Sequence, residues 1–339
     1  MPACDKIAEV TRGATVESVH YGAAAVVDAD GRLIASVGDP DFITYSRSTL
    51  KPFQATPTIA RGAIEQFGLH SHHVALMCGS HNGEPRHVQA AAEILAAVGC
   101  DESELNCGVH VPYRYSVGDQ TPPPGMRFTQ LHNNCSGKHS GMLALCRLLN
   151  APTVGYLEVI HPAQMAVRRM VEYATGLSAD RLTVGIDGCS APTYAMPLRT
   201  LARAFAMLAV GRGPDDASAK AMQTIVHAMR TSPAMVSGAD RFDLALAETA
   251  PDRLICKVGG EAIECVALTD RGWGVVVKVA DGGSRALGVA TVEILRQLDV
   301  LSSAEVECLR RFARPFVTNH RRIIIGEVRP TVHLMRHAA

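Results

Sequence analysis

The feature that most constrains the fold of this chain is the position of its strand-like segments, which lie at both ends. Near the N-terminus, residues 14–39 place apolar and β-branched side chains on both sides of an Asp-Ala-Asp-Gly turn, which predicts two strands. Residues 253–283 predict a second pair of strands around Asp270–Gly274, and the β-branched residues 321–334 predict an added strand. Because helix-like segments fill the middle, this order predicts an α+β fold, an antiparallel β-sheet flanked by helices.

Helical spacing and helix stop signals characterise the middle of the chain. Residues 85–99 are rich in alanine and predict a helix that begins at Pro85 and ends at Gly99. Other helices are expected over 52–68, 161–176, about 197–211, about 217–230, about 284–298 and about 302–313. The apolar run VALMC at 74–78 instead predicts a short buried strand. We predict one catalytic unit of residues 1–339, in which the sheet from both chain ends and a helical middle of about 130–230 could form two intimate subdomains.

The charge balance excludes several classes of function. The chain has 33 Lys and Arg residues against 33 Asp and Glu residues, so it lacks the basic field that nucleic acid or an anionic membrane requires. No apolar run reaches the ~18 residues of a membrane span. The first residues, MPACDKIAEVTRG, contain no apolar signal-peptide region, and we expect a cytoplasmic protein. Disulfides between the ten cysteines are therefore not expected.

The segment SRSTLKPFQATP carries a possible nucleophile, because Ser48 stands three residues before Lys51. Residues three apart on a helical turn share one face, so the hydroxyl can meet the amine. A neutral lysine can take the serine proton, and the free N–H groups of a helix start can hold a developing oxyanion. Pro52 is tolerated only in a first helical turn, which puts the serine at the very start of the helix. A capping serine with a solvated lysine would give the same pattern.

Two further motifs follow along the chain. Ser80 and Asn82 form a Ser-x-Asn motif after VALMC, and Lys257 and Gly259 form a Lys-x-Gly motif at a predicted strand. Ser-x-x-Lys, Ser-x-Asn and Lys-x-Gly occur in this order in serine β-lactamases and penicillin-binding proteins. Taken alone, Ser80 and Asn82 could form a turn whose side chains hydrogen-bond to their own backbone. Lys257 alone could be an exposed lysine on a strand. The ordered set favours a hydrolase.

Two cysteines lie in polar, glycine-bearing turns, Cys135 in NNCSGKHSG and Cys189 in IDGCSAP. Two thiolates and Zn²⁺ sum to zero charge, so a neutral third ligand and a water could complete a tetrahedral site. His139 is the ordinary candidate for the third ligand, whereas Lys138 would have to lose a proton. Asp187 is another candidate, as a ligand or as a contact for a substrate amine. Two free cysteines near each other would explain the same pattern.

Together, the segments YSRSTLKPFQA, CGSHNGEPRH, NNCSGKHSGML, GIDGCSAPTYAMPL and CKVGGE resemble the rhizobial-type (class 3, thermolabile) L-asparaginases. The resemblance extends from about residue 14 to past residue 290, and its specific pieces are NNCSGKH and DGCSAPT. It implies a serine β-lactamase-like fold, hydrolysis of L-asparagine to L-aspartate and ammonia, and a homodimer. Small departures at Ser140, at Met142 and around Lys257 remove no chemical group.

The same resemblance implies roles for individual residues. Two Ser–Lys pairs are expected at the site, Ser48 with Lys51 and Ser80 with Lys257. One zinc ion per chain is expected, held with a water by Cys135, Lys138 and Cys189. Substrate contacts are expected from the loops that carry Arg47, His81, Asn82 and Asp187.

Two other functions fit the sequence. The chain could be another Ser–Lys acyl-transfer hydrolase, such as an esterase or a penicillin-interacting enzyme, although the lack of an export signal argues against a role in the cell wall. It could also be a non-catalytic zinc- or thiol-responsive protein that uses Cys135 and Cys189.

Overall fold

The computed structural model describes residues 3–116 and 120–337 of the chain. Its strands are β1 (Asp5–Arg12), β2 (Thr15–Asp28), β3 (Leu33–Val37), β4 (Ile43–Tyr45), β5 (Thr183–Ile186), β6 (Pro192–Pro197), β7 (Leu254–Gly259), β8 (Ile263–Leu268), β9 (Trp273–Val279), β10 (Phe316–Thr318), β11 (Ile324–Pro330) and β12 (Met335–Arg336).

The α-helices are α1 (Lys51–Ile59), α2 (Ala63–Phe67), α3 (Ser71–Met77), α4 (Pro85–Ala97), α5 (Tyr113–Ser116), α6 (Ser136–Leu148), α7 (Pro162–Thr175), α8 (Leu198–Ala209), α9 (Asp216–Thr231), α10 (Pro233–Val236), α11 (Phe242–Thr249), α12 (Leu287–Gln297), α13 (Ser303–Cys308) and α14 (Arg310–Ala313). Short 3₁₀ turns span Arg47–Leu50, Glu102–Glu104, Gln130–His132, Ala179–Arg181 and Ser284–Ala286.

The described residues form two compact units. The first unit takes its residues from Met1–Thr44, Met196–Ala209 and Ala245–Ala339, and the second from Tyr45–Ala195 and Val210–Leu244. The first unit holds the large sheet, and the second holds most of the helices that lie in the middle of the sequence. The expectation that residues 1–339 act as one catalytic unit stays a prediction.

The sheet of the first unit joins the two ends of the chain, as the sequence predicted. Its strand order is β10-β11-β1-β2-β9-β8-β7, and β3 pairs with both β2 and β12. The pairs β1–β11 and β2–β9, which connect the two chain ends, are both antiparallel. The predicted α+β class, an antiparallel sheet with helices packed on it, is therefore confirmed.

The central strands of this sheet are buried on both faces. Residues 23–27 of β2 and residues 275–277 of β9 are each at most 1% exposed. Because successive strand residues point to opposite faces, such unbroken burial requires cover on both sides of the sheet. Helix α8 contacts β2, β8 and β9, and helix α12 contacts β1, β8, β9 and β11.

The second unit is organised around helix α1. All nine residues of α1 are buried, and the helix contacts α3, α6, α7 and α9. The helix begins at Lys51, directly after the 3₁₀ turn Arg47–Leu50 that contains Ser48. Lys51 keeps helical backbone angles although a proline follows it. A buried helix thus carries a lysine at its first position.

Three local predictions were wrong. The single helix expected over 52–68 is interrupted, because α1 ends at Ile59 and α2 begins at Ala63, after Gly62 with a φ of 80°. The run VALMC belongs to helix α3 and its C-terminal cap, and is not a strand. Its residues are each at most 1% exposed, so no polar position reveals the helical period, and the backbone N–H of His70 caps the helix by donating to His73 Nδ1 at 3.0 Å. Residues 253–283 form three strands, because Glu261 and Ala262 adopt positive φ angles and turn the chain between β7 and β8.

Within the described ranges 3–116 and 120–337, the helices are too short or too polar for any of them to span a bilayer.

Gly274 provides a test of how closely helix α8 packs on the sheet. A Cβ atom at this position of β9 would lie 1.9 Å from the carbonyl oxygen of Ala202, so Gly274→Ala must push helix and strand apart. We expect a loss of about 1–3 kcal/mol in the free energy of unfolding. Urea titration followed by the fluorescence of Trp273, the one tryptophan of the sequence, measures it.

The exposed Ser303→Ala in the same unit serves as the control and should stay within about 0.5 kcal/mol of the wild type. Equal transition midpoints for the two variants would contradict the close approach of α8 to β9.

Candidate active site

The amine of Lys51 lies at the centre of a buried polar cluster in the second unit. Lys51 is 1% exposed, and its Nζ donates to Ser80 Oγ at 3.0 Å, to the carbonyl oxygen of Asn134 at 3.2 Å and to the carbonyl oxygen of Gly79. Burial of an amine is costly unless its hydrogen-bonding groups are satisfied. Three acceptors from two distant loops meet that requirement here.

Ser48, the hydroxyl that the sequence pairs with Lys51, makes no such contact. Its side chain is half-buried, and its Oγ has no hydrogen bond to any residue within 3–116 or 120–337. The preceding residue, Arg47, has a φ of 51°, which turns the chain sharply where the 3₁₀ turn begins. The structure therefore directs the lysine amine at Ser80 rather than at Ser48.

Backbone hydrogen bonds to a neighbouring segment hold the loop that carries Ser80. The N–H of Ser80 donates to Val236 O at 2.7 Å, and the N–H of Asn82 donates to Ser237 O at 2.7 Å. The Asn82 side chain continues this attachment, because its Nδ2 donates to Ala239 O at 2.8 Å. Asn82 thus fastens the Ser80 loop to residues 236–239, and its proposed substrate contact stays a prediction.

Both ring nitrogens of His81 make hydrogen bonds that hold the Ser80 loop. Its Nδ1 accepts the N–H of Gly83 at 3.1 Å, so the ring proton resides on Nε2, which donates to Ser136 Oγ at 3.0 Å. Burial, reinforced by the nearby His87, lowers the pKa of His81 well below its usual value. The ring is therefore neutral and fully engaged between the loop and the start of helix α6, while a substrate contact stays a prediction.

Cys135, Lys138 and Cys189, the three predicted zinc ligands, lie together. Lys138 Nζ is 2.8 Å from Cys189 Sγ, and Cys135 lies close enough to that sulfur to affect its pKa. Each of the three residues is at most 4% exposed. Asn133 shapes this turn, because its Oδ1 accepts the N–H of Cys135 at 2.8 Å while its Nδ2 donates to Cys107 O at the same distance.

The protons of this cluster are unevenly shared. The hydrogen bond from Cys135, together with the positive charge of Lys138, lowers the pKa of Cys189 to about 4, against the opposing effect of burial. Hydrogen bonding to Cys189 and burial raise the pKa of Cys135 to about 12. Burial alone would lower the pKa of Lys138, but the two sulfurs outweigh it and raise the value. The cluster is thus one thiolate, one thiol and one ammonium.

This donor set fits Zn²⁺. A thiolate, a thiol and an ammonium sum to zero charge, and so do two thiolates, a neutral amine and one Zn²⁺. Exchange of two protons for the ion would leave the net charge of the buried cluster unchanged, so burial presents no added electrostatic barrier. His139, the ordinary candidate for third ligand, instead bonds through Nδ1 to Tyr156 Oη at 2.5 Å.

Arg47 and Asp187, two predicted substrate contacts, pair with each other. Arg47 Nε is 2.7 Å from Asp187 Oδ1, and both side chains are largely buried. Burial would raise the pKa of Asp187, but Lys138 and Arg47 outweigh it and lower the value. The ion pair connects the turn before Ser48 with the turn that carries Cys189.

Lys257, the predicted partner of Ser80, belongs to β7 in the first unit. Its side chain is fully buried, and its Nζ donates to Val258 O at 2.6 Å. The pairing of Lys257 with Ser80 stays a prediction.

Two residues near this cluster carried no signal in the sequence. Arg241 donates from Nη1 to Asn82 Oδ1 at 3.3 Å, and its guanidinium carbon lies 5.3 Å from the ring centre of Tyr113. Both residues stand in segments without a spaced motif, so only the folded chain brings them beside Asn82.

A second group of possible metal ligands lies apart from these residues, at His72, His73 and Glu93. His73 Nδ1 accepts the N–H of His70, so its proton resides on Nε2, which donates to Glu93 Oε2 at 3.0 Å. A ligating histidine must instead offer a free nitrogen to the metal and donate from the other one. The hydrogen bonding of His73 therefore fits a structural tie and does not fit a metal ligand.

Comparison with known proteins gives one family and a set of distant solved structures. Solved structures similar to this chain include a provisionally named β-lactamase from Bacteroides dorei DSM 17855, with 12% identity over 81% of this chain and 93% of that chain and a TM-score of 0.42. A β-lactamase from Mycobacterium bovis shows 18% identity over 81% of this chain and 94% of that chain, with a TM-score of 0.41. Such distant likenesses carry no argument about activity. No curated protein sequence matches the chain.

A family model described as L-asparaginase II matches residues 8–330, which include every residue of the cluster described above. A match over nearly all of the 339 residues shows that this chain belongs to the L-asparaginase II family.

Proposed function

We propose that this chain is an L-asparaginase of the rhizobial, class 3 type, which hydrolyses L-asparagine to L-aspartate and ammonia through a serine-bound acyl intermediate. The observation that carries the proposal is the buried contact of 3.0 Å between Lys51 Nζ and Ser80 Oγ, in a chain of the L-asparaginase II family. A serine hydroxyl within hydrogen-bond reach of an amine that other groups hold in place is the arrangement of an activated nucleophile or proton relay.

The surroundings of Lys51 suit proton transfer in both directions. A neutral amine has two N–H donors, which the carbonyl oxygens of Gly79 and Asn134 accept, and its lone pair then faces Ser80. A charged amine has three donors, and the third N–H then points to Ser80. The same geometry therefore holds both states, and the proton can pass between the two groups without rearrangement of the loops.

We assign the attack on substrate to Ser48 and the proton relay to Lys51 and Ser80. An attacking hydroxyl must reach the substrate, and Ser48 is half-buried whereas Ser80 is 3% exposed. Ser48 also has no competing hydrogen bond among the described residues, so its hydroxyl is free to turn toward a bound ligand. Lys51, one turn further on, is the nearest base along the chain.

The proposed cycle has two steps. Ser48 Oγ attacks the side-chain amide carbon of asparagine, and its proton passes to the relay of Lys51 and Ser80. The amide C–N bond breaks, and the relay of Lys51 and Ser80 protonates the departing ammonia. Water then attacks the aspartyl ester and gives a proton to the same relay. The ester C–O bond breaks, the relay returns the proton to Ser48 Oγ, and aspartate leaves. Backbone N–H donors stabilise the oxyanion in both steps.

Cys135, Lys138 and Cys189 would hold one zinc ion per chain in this proposal. Bound zinc supplies a Lewis acid with room for a further ligand. Since Ser48 and Lys51 already supply nucleophile and base, we assign the three ligands a positioning role: they fix the turn of Asp187 relative to helix α6. The homodimer and the cytoplasmic location stay predictions.

Ammonia release separates the proposed function from its rivals. We expect ammonia from L-asparagine, none detectable after Ser48→Ala, and about 10²–10⁴-fold slower release after Ser80→Ala, because the relay is lost. Ser303→Ala is the control. Turnover of a chromogenic ester or a β-lactam without ammonia release would favour another acyl-transfer hydrolase. No turnover at all would favour the zinc- or thiol-responsive protein.

Covalent trapping tests which serine is acylated. We expect an asparagine analogue with a diazoketone in place of the amide to label the peptide that contains Ser48. Peptide mass spectrometry should find the label in wild type and in Ser80→Ala, and should find none in Ser48→Ala. A label on the peptide that contains Ser80 would exchange the roles proposed for the two serines.

Metal analysis tests the zinc ligands without reference to activity. Cys135→Ser and Cys189→Ser should each lower the zinc content from about one per chain to near zero, because each removes a thiolate. The exposed Cys308→Ser should keep the metal.

In the wild type, removal of zinc by a chelator should raise KM more than it lowers kcat. Loss of kcat with an unchanged KM would contradict the positioning role.

A further inference from the structure

We propose that Arg241, with Tyr113 beneath it, binds the α-carboxylate of the amino-acid substrate and so selects free asparagine over asparagine whose carboxylate is blocked. This inference rests on the proposed function and names a binding residue for it. The evidence is the small number of hydrogen bonds that the Arg241 guanidinium makes and the identity of the side chains around it.

Most N–H donors of the Arg241 guanidinium make no hydrogen bond to a described residue. Its side chain is 12% exposed, and across residues 3–116 and 120–337 its one hydrogen bond runs from Nη1 to Asn82 Oδ1 at 3.3 Å. Among the described residues, the nearest carboxylate oxygen belongs to Asp243 and lies 4.0 Å from Nε, beyond hydrogen-bond reach. A guanidinium carries five N–H donors, so four of them make no hydrogen bond to a described residue and can serve a ligand.

Tyr113 fixes the plane of this guanidinium and adds a hydroxyl. The guanidinium carbon lies 5.3 Å from the ring centre, a cation–π distance. The Tyr113 hydroxyl has no hydrogen bond to any of the described residues. A planar guanidinium held against a ring offers the parallel donor pair that a carboxylate accepts, and the hydroxyl can donate to the same ligand.

The two residues face the cluster already described. Burial, followed by the nearby Cys135 and Asp187, raises the pKa of Tyr113, whereas Arg241 and Arg47 act to lower it. Tyr113 thus contacts Arg241 and lies within electrostatic range of the turns that carry Cys135 and Asp187. Arg241 is also bonded to Asn82, two residues after Ser80, so it belongs to the same loop assembly as the relay hydroxyl.

Charge complementarity favours Arg241 over Arg47 as the carboxylate anchor. The guanidinium of Arg47 is already neutralised by Asp187 at 2.7 Å. Arg241 brings a positive charge whose nearest carboxylate is more distant. Free asparagine carries a carboxylate and an ammonium on one carbon, so a charged anchor discriminates strongly against an α-amide or a peptide bond at that position.

Paired substrates test the proposal. We would measure kcat and KM for L-asparagine and for its α-amide, which shares the scissile side-chain amide, in wild type, Arg241→Gln and Arg241→Lys. Arg241→Gln should raise the KM for L-asparagine about 10–100-fold, the effect of losing hydrogen bonds to a charged group, and should change the KM for the α-amide less than about 3-fold. Arg241→Lys keeps the charge but loses the bidentate geometry, so its KM for L-asparagine should lie between the values of the wild type and of Arg241→Gln.

Arg169→Gln, on an exposed position of helix α7, is the matched control and should leave both substrates unaffected. Equal losses on the two substrates in Arg241→Gln would overturn the proposal, because they are the mark of a merely structural role through Asn82. If Arg241→Gln does not fold, the test is the ratio of kcat/KM for L-asparagine to kcat/KM for its α-amide in the wild type. A ratio below about 10 would overturn the proposal.

Failure of the proposed function would look different. If the wild type turns over neither substrate, calorimetric titration with L-aspartate still tests the carboxylate anchor. Binding to wild type and loss of binding in Arg241→Gln would support it, and absence of binding to wild type would overturn it.

Discussion

The buried amine of Lys51 is the constraint on which the second unit depends. An amine inside a protein must have its hydrogen-bonding groups met, and here the acceptors come from residues 79, 80 and 134, which are far from residue 51 in the sequence. The carbonyl oxygen of Asn134 also accepts the N–H of His81, so one backbone group holds the lysine and the Ser80 loop together. The packing of helix α1, the position of the loop and the position of the Ser80 hydroxyl therefore depend on one another.

A second buried cluster solves a related problem with different chemistry. At Cys135, Lys138 and Cys189, charged side chains offset one another, whereas the amine of Lys51 is held mainly by backbone carbonyl oxygens. Arg47 and Asp187 add an ion pair between the turn before Ser48 and the turn that carries Cys189. The unit thus concentrates ionisable groups in its interior while each one keeps a specific partner, which is typical of functional sites.

The sequence predicted the architecture better than the direction of side chains. Strand-like residues at both chain ends correctly indicated a shared antiparallel sheet, and Pro85 and Gly99 correctly bracketed helix α4. The VALMC segment was misassigned because full burial hides periodicity. The i, i+3 spacing placed Lys51 with Ser48, yet the amine turns to Ser80, since its acceptors come from loops whose approach no local pattern encodes. Arg241 and Tyr113 meet only through the same long-range closure.

The left-handed backbone of Arg47 has a consequence for attempts to make this protein more robust. A residue with a Cβ at a φ of 51° costs on the order of 1 kcal/mol that a glycine would not incur. Directed evolution for heat tolerance alone would tend to replace this arginine and, with it, the partner of Asp187. Resistance to heat and the integrity of the buried cluster therefore compete at a single position, and a screen would have to select for both.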